Sequence, residues 1–374
     1  PRPRCEVFVD TIKLFKFRNL LDQQVQFAPG VNIIVGRNGQ GKTNLLEAVV
    51  FLGLSKSFRT SRSDELVQWG AEAGAVFGRL VRQDGAVELG ISLESGAKRA
   101  YINKEPVKSL GQYLGRLVTV TFAPRDVFLV KGGPPERRNL IDRALVDLKP
   151  AYFQKLLNYQ RALRHRNKML KDQVGAAAQY EPWEALLATE AAEITEQRRW
   201  FIETLQTRAD RAYWHFSTEE GRLGLSLRVK GFPKELPGRE QYLEQYRRGR
   251  QQELRYRSTL IGPHLDDISI ELGGHDSKAF ASQGQTRSIV LSLTLGIIEL
   301  LEEQHNDSPV ILLDDVDSEL DQYRAAAFFQ MIFAQRRQVI MTGTNLEKTG
   351  AAATPNESAA YRIEAGRIAP LSLC

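Results

Sequence analysis

The sequence predicts an α/β protein whose sheet-forming segments lie at both ends of the chain and flank a largely helical middle. Apolar runs typical of buried strands occur at Val31–Val35 and in "PVILLDDV" near residue 310. From Ala151 to about residue 258, long helices with charged faces dominate the pattern. We therefore expect one α/β core that is discontinuous in sequence, 1–148 and 259–374, with a mainly helical lobe inserted at 149–258.

The N-terminal part reads as strands around one helix. Residues 6–35 read as two strands, and "TNLLEAVVFLGL" follows as an apolar helix. Residues 75–107 alternate strongly and predict an antiparallel meander with a "QDG" hairpin turn. One face of that meander is predicted to carry Val87, Leu89, Ile91 and Leu93. A strand, a loop and a helix are expected in the stretch that ends with "GGPPERRNLIDRALV".

The rest of the chain alternates between long helices and short strands. Two helices are expected between Ala151 and about Phe216, interrupted by "VGAAAQYEPW", and "QYLEQYRRGRQQELRYRS" is a further charged helix. No apolar heptad of coiled-coil length is present. After "IGPHLDD", the segments "ISIEL" and "KAFA" read as strands, and "SQGQTRSIVLSLTLGIIELLEEQ" reads as a loop and a long helix. "PVILLDDV" and "QVIMTGT" are predicted to be buried strands.

Composition limits the class of protein. The chain has 374 residues, a net charge of +6 and only two cysteines, Cys5 and Cys374. These cysteines form neither a disulfide framework nor a zinc site, and they fit a reducing cytoplasm. No apolar stretch approaches the roughly 20 residues of a membrane span, so we expect no membrane partner. The basic balance favours an acidic partner.

The strongest motif is "GRNGQGKT", which follows the apolar run "VNIIV". It matches G-x-x-x-x-G-K-[ST], in which inward-facing backbone N–H groups and a helix N-terminus surround a phosphate chain. Lys42 would reach the β- and γ-phosphates of ATP, and the Thr43 hydroxyl would hold Mg²⁺. The alternative is a plain strand-to-helix turn, but strand, loop and helix are the order that the motif requires. The predicted nucleotide-binding residues here are Gly36, Arg37, Asn38, Gly39, Gln40, Gly41, Lys42, Thr43 and Asn44.

Two further segments carry candidate site residues. "VILLDDV" is an apolar strand that ends in Asp314 and Asp315, and a carboxylate at such a strand end is where P-loop proteins meet Mg²⁺. "ASQGQTRS" places Ser282 and Gly284 before a long helix, where a hydroxyl and a helix N-terminus could meet a phosphate. An acidic turn and a simple helix cap are the alternatives. The presence of the phosphate loop favours a site at the two acids. The position of Ser282, about 30 residues before the acidic strand that "DSELD" follows, favours a site there as well.

In combination, these motifs resemble the ATP-binding-cassette (ABC) head that SMC and Rad50 proteins share, without their long coiled coils. The finer pattern is similar to the RecF family of bacterial recombination-mediator ATPases, from about residue 8 to 366. The segments that carry this resemblance are "FKFRNL", "SKSFRT", "FAPRDVFLVKGGPPERRNLIDR", "GPHLDD" and "LLDDVDSELD". The implied fold is an ABC-type ATPase head, with mixed β-sheets around a P-loop core and an inserted, mainly helical lobe.

The resemblance implies roles for the motif residues. Lys42 and Thr43 would bind phosphate and Mg²⁺, and Asp314 would be the acid beside the Mg²⁺. Asp315 occupies the position of the glutamate that usually polarises the attacking water, and its shorter side chain implies slow ATP hydrolysis. Ser282, with Gly284 and Gln285, would contact the γ-phosphate of ATP that is bound by the partner subunit. Catalysis is thus assigned to Lys42, Asp315 and Ser282.

Other family positions are filled differently. Asp321 ends a D-loop-like "SELD", and the Q-loop-like region Phe122–Asp126 contains no glutamine. Where the family usually has a switch histidine, "MTGTN" offers Thr342 and Thr344. Sensing of the γ-phosphate by the usual residues is therefore not expected.

Basic stretches within the predicted lobe suggest a nucleic-acid partner. A lobe of this charge beside an ATP-closed head would bind the backbone of double-stranded DNA without reading its sequence. The alternative is a set of solvated helix faces. The candidate DNA-binding residues are Arg161, Arg164, Arg166, Lys168, Arg247, Arg248 and Arg250.

The resemblance implies an ATP-dependent DNA-binding homodimer of recombinational repair. It would act at single-strand gaps or junctions with RecR and RecO and would help to load RecA. The ATPase subunit of a membrane transporter is a different hypothesis, which the helical insertion and "GPHLDD" argue against. A GTPase is disfavoured because no Asn-Lys-x-Asp motif occurs.

Overall fold

Three β-sheets organise the part of the chain that the computed structural model describes. That part is residues 7–371 without 61, 83–84, 95, 174–175, 218–220, 233–235, 316–319 and 345–356. The described chain divides into two compact units: the first comprises residues up to 126, 214–216 and those from 291 onward, and the second comprises 127–213 and 217–290. The predicted boundaries at 148 and 259 remain a prediction about domain organisation.

The first unit contains two six-stranded sheets. One is antiparallel and has the order β2-β1-β4-β5-β6-β7. Its strands are β1 (Phe8–Phe15), β2 (Gln23–Gln26), β4 (Ala73–Arg82), β5 (Gly85–Glu94), β6 (Ala97–Ile102) and β7 (Glu105–Pro106). This is the predicted meander joined by the N-terminal strands, and Leu89, Ile91 and Leu93 are buried on one face as expected. Two of the three residues of the predicted "QDG" turn lie outside the described residues.

The other sheet of this unit is mainly parallel, with the order β15-β14-β3-β13-β12-β8. Its strands are β3 (Val31–Val35), β8 (Thr119–Phe122), β12 (Val310–Leu313), β13 (Val339–Gly343), β14 (Ala359–Glu364) and β15 (Arg367–Leu371). Strand β13 pairs in parallel with both β3 and β12. The carboxyl ends of these three neighbouring strands therefore lie at one edge, where the phosphate loop and the acidic pair begin.

Helix α1 (Lys42–Leu54) packs between apolar residues of the two sheets. Eleven of its 13 residues are buried, which explains why its sequence is apolar all round. Its partners in the core include Ile12, Leu14, Val76 and Ile340. The start of α1 is therefore held rigidly, which positions the residues that follow the phosphate loop. Helix α9 (Gln322–Phe333) also belongs to this unit.

The second unit is mainly helical and includes the small sheet β11-β10-β9. Its strands are β9 (Leu223–Arg228), β10 (Asp267–Leu272) and β11 (His275–Asp276). Its helices are α2 (Phe128–Lys131), α3 (Pro134–Leu148), α4 (Ala151–Asp172), most of α5 (Ala177–Phe216), α6 (Arg239–Tyr256) and α7 (Ser277–Phe280), and α8 (Gln283–His305) begins in it. Among the helices of the described residues, none is both long and apolar enough to cross a membrane.

Some element predictions were wrong. Residues 6–35 form three strands rather than two, and strand β9 was missed. The segment "KAFA" was expected as a strand, but its first three residues lie in the single-turn helix α7. Asp276 caps that turn by accepting a hydrogen bond from the Lys278 N–H, and the Lys131 ammonium binds carbonyls at its other end. Both contacts come from outside the segment, so its own residues could not reveal them.

Candidate nucleotide-binding site

The phosphate loop joins the end of β3 to the start of α1. Gly41 has a φ of 114°, and a Cβ on it would lie 2.8 Å from Leu20 Cδ2 and 2.9 Å from Asn19 Oδ1. Both its conformation and the lack of space therefore require glycine. The Lys42 ammonium is buried inside the loop, where it donates to the Gly36 carbonyl at 2.7 Å and lies 3.4 Å from Asn38 Oδ1. The loop is thus a backbone cradle with one cation inside it.

Asp314 lies directly after β12 and faces the first turn of α1. The Thr43 hydroxyl lies 3.0 and 2.9 Å from its two carboxylate oxygens, and the Thr342 hydroxyl donates to Oδ1 at 2.8 Å. Burial raises the pKa of the Asp314 carboxyl, the two threonine hydrogen bonds oppose that rise, and the nearby charge of Asp315 adds to it. Two hard oxygen groups, one hydroxyl and one carboxylate, therefore converge beside the phosphate loop, as a divalent cation requires.

Asp315 adopts a left-handed backbone conformation with a φ of 51°. Its N–H donates to the Thr342 hydroxyl at 2.9 Å, and that hydroxyl donates onward to Asp314. A non-glycine residue in this region of φ costs free energy, which is typical of functional sites. Thr342 thus fixes both acids at once. From the sequence, Thr342 was named only as one of two threonines at the position of the usual switch histidine. The other, Thr344, is exposed directly after β13.

A cavity of about 340 Å³ opens between these groups. The residues that line it are Asn38, Gly39, Gly41, Lys42, Thr43, Asn44, Arg59, Pro124, Asp314 and Asp315. Of the predicted nucleotide-binding residues of the first unit, Gly36, Arg37 and Gln40 do not line it. Gln40 instead binds the turn between β14 and β15, because its Oε1 accepts from the Ala365 N–H at 2.6 Å.

Arg59 was not singled out from the sequence, although its segment "SKSFRT" is one of those that carry the family resemblance. Its guanidinium donates to Asn44 Oδ1 at 2.6 Å and lies 3.5 Å from the buried Glu47 carboxylate. Arg18 binds Glu47 through two hydrogen bonds of 2.9 and 2.8 Å. Glu47 therefore holds two cations beside the first turn of α1. Its place in an apolar helix was the signal that could have identified it.

The Ser282 segment belongs to the second unit. The Ser282 hydroxyl accepts from the Gln285 N–H at 3.1 Å, and Gln285 Oε1 accepts from the Ser282 N–H at 2.8 Å. This reciprocal pair is a capping box at the start of α8. Ser282 is exposed, and Gly284 lies in the first turn of the helix. Ser318 and Glu319 of the "SELD" motif lie outside the described residues, whereas Asp321 caps α9 by accepting from the Arg324 N–H at 3.0 Å.

The candidate DNA-binding residues separate into two groups. Arg161, Arg164, Lys168, Arg247 and Arg248 are exposed on α4 and α6. Arg166, in contrast, is 0% exposed and binds Glu184 at 3.0 Å and Glu253 at 2.5 Å. The prediction of a DNA contact at Arg166 is therefore wrong, because its guanidinium is internal.

Arg250 needs a similar correction. It donates to both carboxylate oxygens of Glu184, at 3.0 Å from Nε and 2.5 Å from Nη2, and its side chain is only 15% exposed. Its charge is therefore compensated inside the helical unit, together with that of Arg166. The charge pattern of α4 and α6 did not show which of its cations point inward.

Comparison with known proteins matches this architecture. The model of the RecF/RecN/SMC N-terminal domain matches residues 8–359. The DNA replication and repair protein RecF of Halalkalibacterium halodurans is 35% identical over 367 residues, which cover 96% of this chain and 98% of that protein. RecF of Heliobacterium modesticaldum is 37% identical over 374 residues, at 96% and 98% coverage.

Solved structures agree. The recombination mediator protein RecF of the RecFOR pathway, solved with ATP, superimposes with a TM-score of 0.88 at 31% identity and covers 99% of both chains. An SMC head bound to the C-terminal winged-helix domain of ScpA has a TM-score of 0.57 at 17% identity over 98% of both chains, and this likeness concerns the fold alone. The fold is thus that of an ABC-type ATPase head. Within that class, the chain belongs to the RecF family of DNA replication and repair proteins.

Proposed function

We propose that the cavity of the first unit binds ATP together with Mg²⁺. The observation that carries this proposal is the convergence of Thr43, Asp314 and Lys42 beside one backbone cradle. Lys42 would compensate the β- and γ-phosphates, and Thr43 with Asp314 would hold the metal ion. The relatives solved with ATP support the assignment of the nucleotide. When bound, the ion would neutralise charge on the phosphates.

We propose further that hydrolysis is slow. Asp315 is the group of this chain that would orient the attacking water, and its side chain is one methylene shorter than the glutamate usual in ABC-type ATPases. Thr342 holds the Asp315 backbone by a 2.9 Å hydrogen bond, so the side chain has little freedom to compensate for this reach. Slow turnover would make ATP binding, rather than rapid cycling, the signal that this protein gives.

The exposed Ser282 supports a composite site. Its hydroxyl lies at the start of α8, where a helix N-terminus favours negative charge. We propose that Ser282, Gly284 and Gln285 contact the γ-phosphate of ATP bound by the partner subunit. ATP would then join two copies of the chain, and release after hydrolysis would separate them. A symmetric dimer would contain two such sites.

The biological role that we propose is recombinational repair at gaps or junctions between single- and double-stranded DNA. The RecF relatives are replication and repair proteins, which supports this role. The exposed cations of α4 and α6, on the inserted lobe proposed at 149–258, would bind the DNA backbone. RecO and RecR would be the partner proteins, and RecA would be loaded in consequence.

Sedimentation of the full chain with a gapped DNA duplex tests this function. We expect dimers on the DNA only when both ATP and Mg²⁺ are present, and monomers when either is omitted. The matched control is Lys42→Met, which removes the cation from the cradle and should stay monomeric with ATP. Equal DNA-bound dimer with and without ATP would contradict the proposal.

A further inference from the structure

The segment that leads into Ser282 is hydrogen-bonded to Lys131, a residue to which neither the motifs nor the proposed function gives a role. The Lys131 ammonium donates three hydrogen bonds to backbone carbonyls, those of Ser277 at 3.1 Å, Lys278 at 3.1 Å and Ala281 at 2.6 Å. These carbonyls belong to the single turn α7 and to the residue directly before Ser282. An ammonium has three donors, so all three are used on this one segment.

Such a contact is needed because α7 is only four residues long. A helix leaves its last carbonyls without partners in the chain, and a single turn consists almost entirely of such ends. One hydrogen bond inside the turn, from the Ala281 N–H to the Ser277 carbonyl at 3.1 Å, is present. A cation at the C-terminal end also interacts favourably with the helix dipole. Lys131 therefore supplies stabilisation that α7 cannot supply itself.

Lys131 is itself fixed from the other side. It ends α2, and Arg137 donates to the carbonyls of Leu129 and Gly132, both at 3.1 Å. Arg137 is buried and binds both oxygens of Asp267 at 2.7 and 3.0 Å, at the start of β10. The contacts therefore run without a gap from the sheet through Arg137 and α2 to Lys131. All of them lie within the second unit.

Ser282 thus lies between two fixed points. On its N-terminal side the carbonyl of Ala281 is held by Lys131, and on its C-terminal side the capping box with Gln285 and the hydrogen bond from the Thr286 N–H at 2.9 Å begin α8. We propose that Lys131 is a positioning residue for the Ser282 segment, which presents Ser282 to the ATP of a second copy of this chain. This inference rests on the composite site proposed above.

Hydrogen exchange of the full chain tests the positioning directly and does not depend on ATP. Lys131→Met removes all three donors, so amide exchange in peptides spanning 277–286 should accelerate at least about tenfold, because each charge-assisted bond lost weakens the local fold. The matched control is Lys278→Met, which removes an exposed ammonium from α7 itself. Its exchange should equal that of the wild type. Unchanged exchange in Lys131→Met would overturn the inference.

ATP-dependent dimerisation, measured by sedimentation beside monomer affinity for ATP, tests the consequence. Lys131→Met should weaken dimerisation at least about tenfold and leave the ATP affinity of the monomer unchanged, because the nucleotide cavity belongs to the other unit. Lys131→Arg, which keeps the charge and several donors, should restore part of the loss. If Lys131→Met lowers the unfolding temperature too far for measurement, Lys131→Gln, with two donors, takes its place.

Ser282→Arg separates the two proposals. If Ser282→Arg abolishes dimerisation while Lys131→Met does not alter it, the positioning role is wrong and the composite site stands. If both variants dimerise as the wild type does, the proposal of a composite site is wrong, and the positioning role that rests on it is wrong as well. Loss of dimerisation in both, with partial rescue by Lys131→Arg, is the result that supports the inference.

Discussion

At the scale of single residues, Asp314 meets two opposing requirements. It must be ionised to hold a metal ion, yet burial raises the pKa of its carboxyl. The hydrogen bonds from Thr342 and Thr43 favour the ionised form and only partly compensate. The folded, nucleotide-free protein therefore binds a proton at Asp314 more readily than the unfolded chain does. The contribution of Asp314 to the free energy of unfolding therefore falls as the pH rises through its raised pKa.

Asp314→Asn should accordingly stabilise the nucleotide-free protein. We expect a higher unfolding temperature than in the wild type at about pH 8, and a difference that shrinks as the pH falls toward about 4. The same variant should lose the gain in ATP affinity that Mg²⁺ gives. Thermal unfolding against pH and ATP titrations with and without Mg²⁺ measure both effects.

Asp321→Asn is a control for which the expected pH dependence of stability is opposite to that of Asp314→Asn. The backbone hydrogen bond from Arg324 lowers the pKa of the Asp321 carboxyl, so its contribution to stability is present at neutral pH and is lost in acid. Its removal should destabilise the protein at neutral pH and have little effect in acid. Destabilisation by Asp314→Asn across the whole pH range would contradict the burial cost assigned to Asp314.

A substitution at Asp315 should separate ATP binding from ATP turnover. Asp315→Asn keeps the side-chain volume, but an amide cannot accept the proton of the attacking water, so turnover should fall about 10²–10⁴-fold. ATP affinity should remain near that of the wild type, because Lys42 and Thr43 are intact. Single-turnover hydrolysis and equilibrium ATP binding distinguish the two effects. Unchanged turnover would show that another group orients the water.

At the scale of elements, α4 and α6 show why charge in sequence does not identify charge on the surface. Arg166 lies on α4 between exposed cations, yet its guanidinium joins α4 to Glu184 on α5 and Glu253 on α6. Helical periodicity places it on the inner face, but only the packing of three helices supplies the two carboxylates. The ion pairs of Arg166 could therefore not be predicted from α4 alone.

Arg166→Met should destabilise the helical unit without a direct effect on DNA contacts. Removing one partner of a buried ion pair leaves Glu184 and Glu253 buried with less compensation, which typically costs about 3–5 kcal/mol. Chemical unfolding, with helical circular dichroism as the signal, measures this loss. A cost below about 1 kcal/mol would mean that the cluster is not a structural centre of the unit.

The exposed cations should behave in the opposite way. Glutamine at Arg161, Arg164, Arg247 and Arg248 should leave unfolding nearly unchanged and reduce the slope of log affinity for duplex DNA against log salt by up to about 3–4. The matched control removes four exposed cations of the first unit, Lys13, Arg99, Arg362 and Arg367, for the same change in net charge. Equal reductions in both variants would show that the helices carry only a general charge effect.

The elements predicted most accurately were those with a strong local pattern. The meander over β4 to β6, the buried strands β3, β12 and β13 and the long helix α8 follow from periodicity and apolar runs. Helix α5 was also expected, but its predicted start was wrong, because residues 177–183 of the expected interruption lie inside the helix. The phosphate loop, Asp314 and Thr43 also meet as expected. The conformation of α7 and the roles of Arg59 and Thr342 were not predicted. Each depends on a partner elsewhere in the sequence: α7 on Lys131, Arg59 on Glu47 and Thr342 on Asp314.

At the scale of the whole molecule, the proposed composite site makes two defective variants complementary. Lys42→Met lacks the cation of the cradle, and Ser282→Arg lacks the hydroxyl offered to the partner. A heterodimer of the two contains one site with both residues and one site with neither. Because neither variant should dimerise alone with ATP, the dimers in a mixture should be heterodimers. If the two sites act independently, up to about half of wild-type ATPase activity should return. A tagged pull-down confirms that subunits exchange.

The most direct test of the central claim is sedimentation of Ser282→Arg with MgATP, beside equilibrium ATP binding by the same variant. The composite site predicts that this variant binds ATP as the wild type does, through Lys42 and Thr43, yet remains monomeric. Wild-type protein should dimerise under the same conditions, and circular dichroism should show equal folding of both. If Ser282→Arg dimerises with ATP to the same extent as the wild type, Ser282 does not act on the nucleotide of the partner subunit.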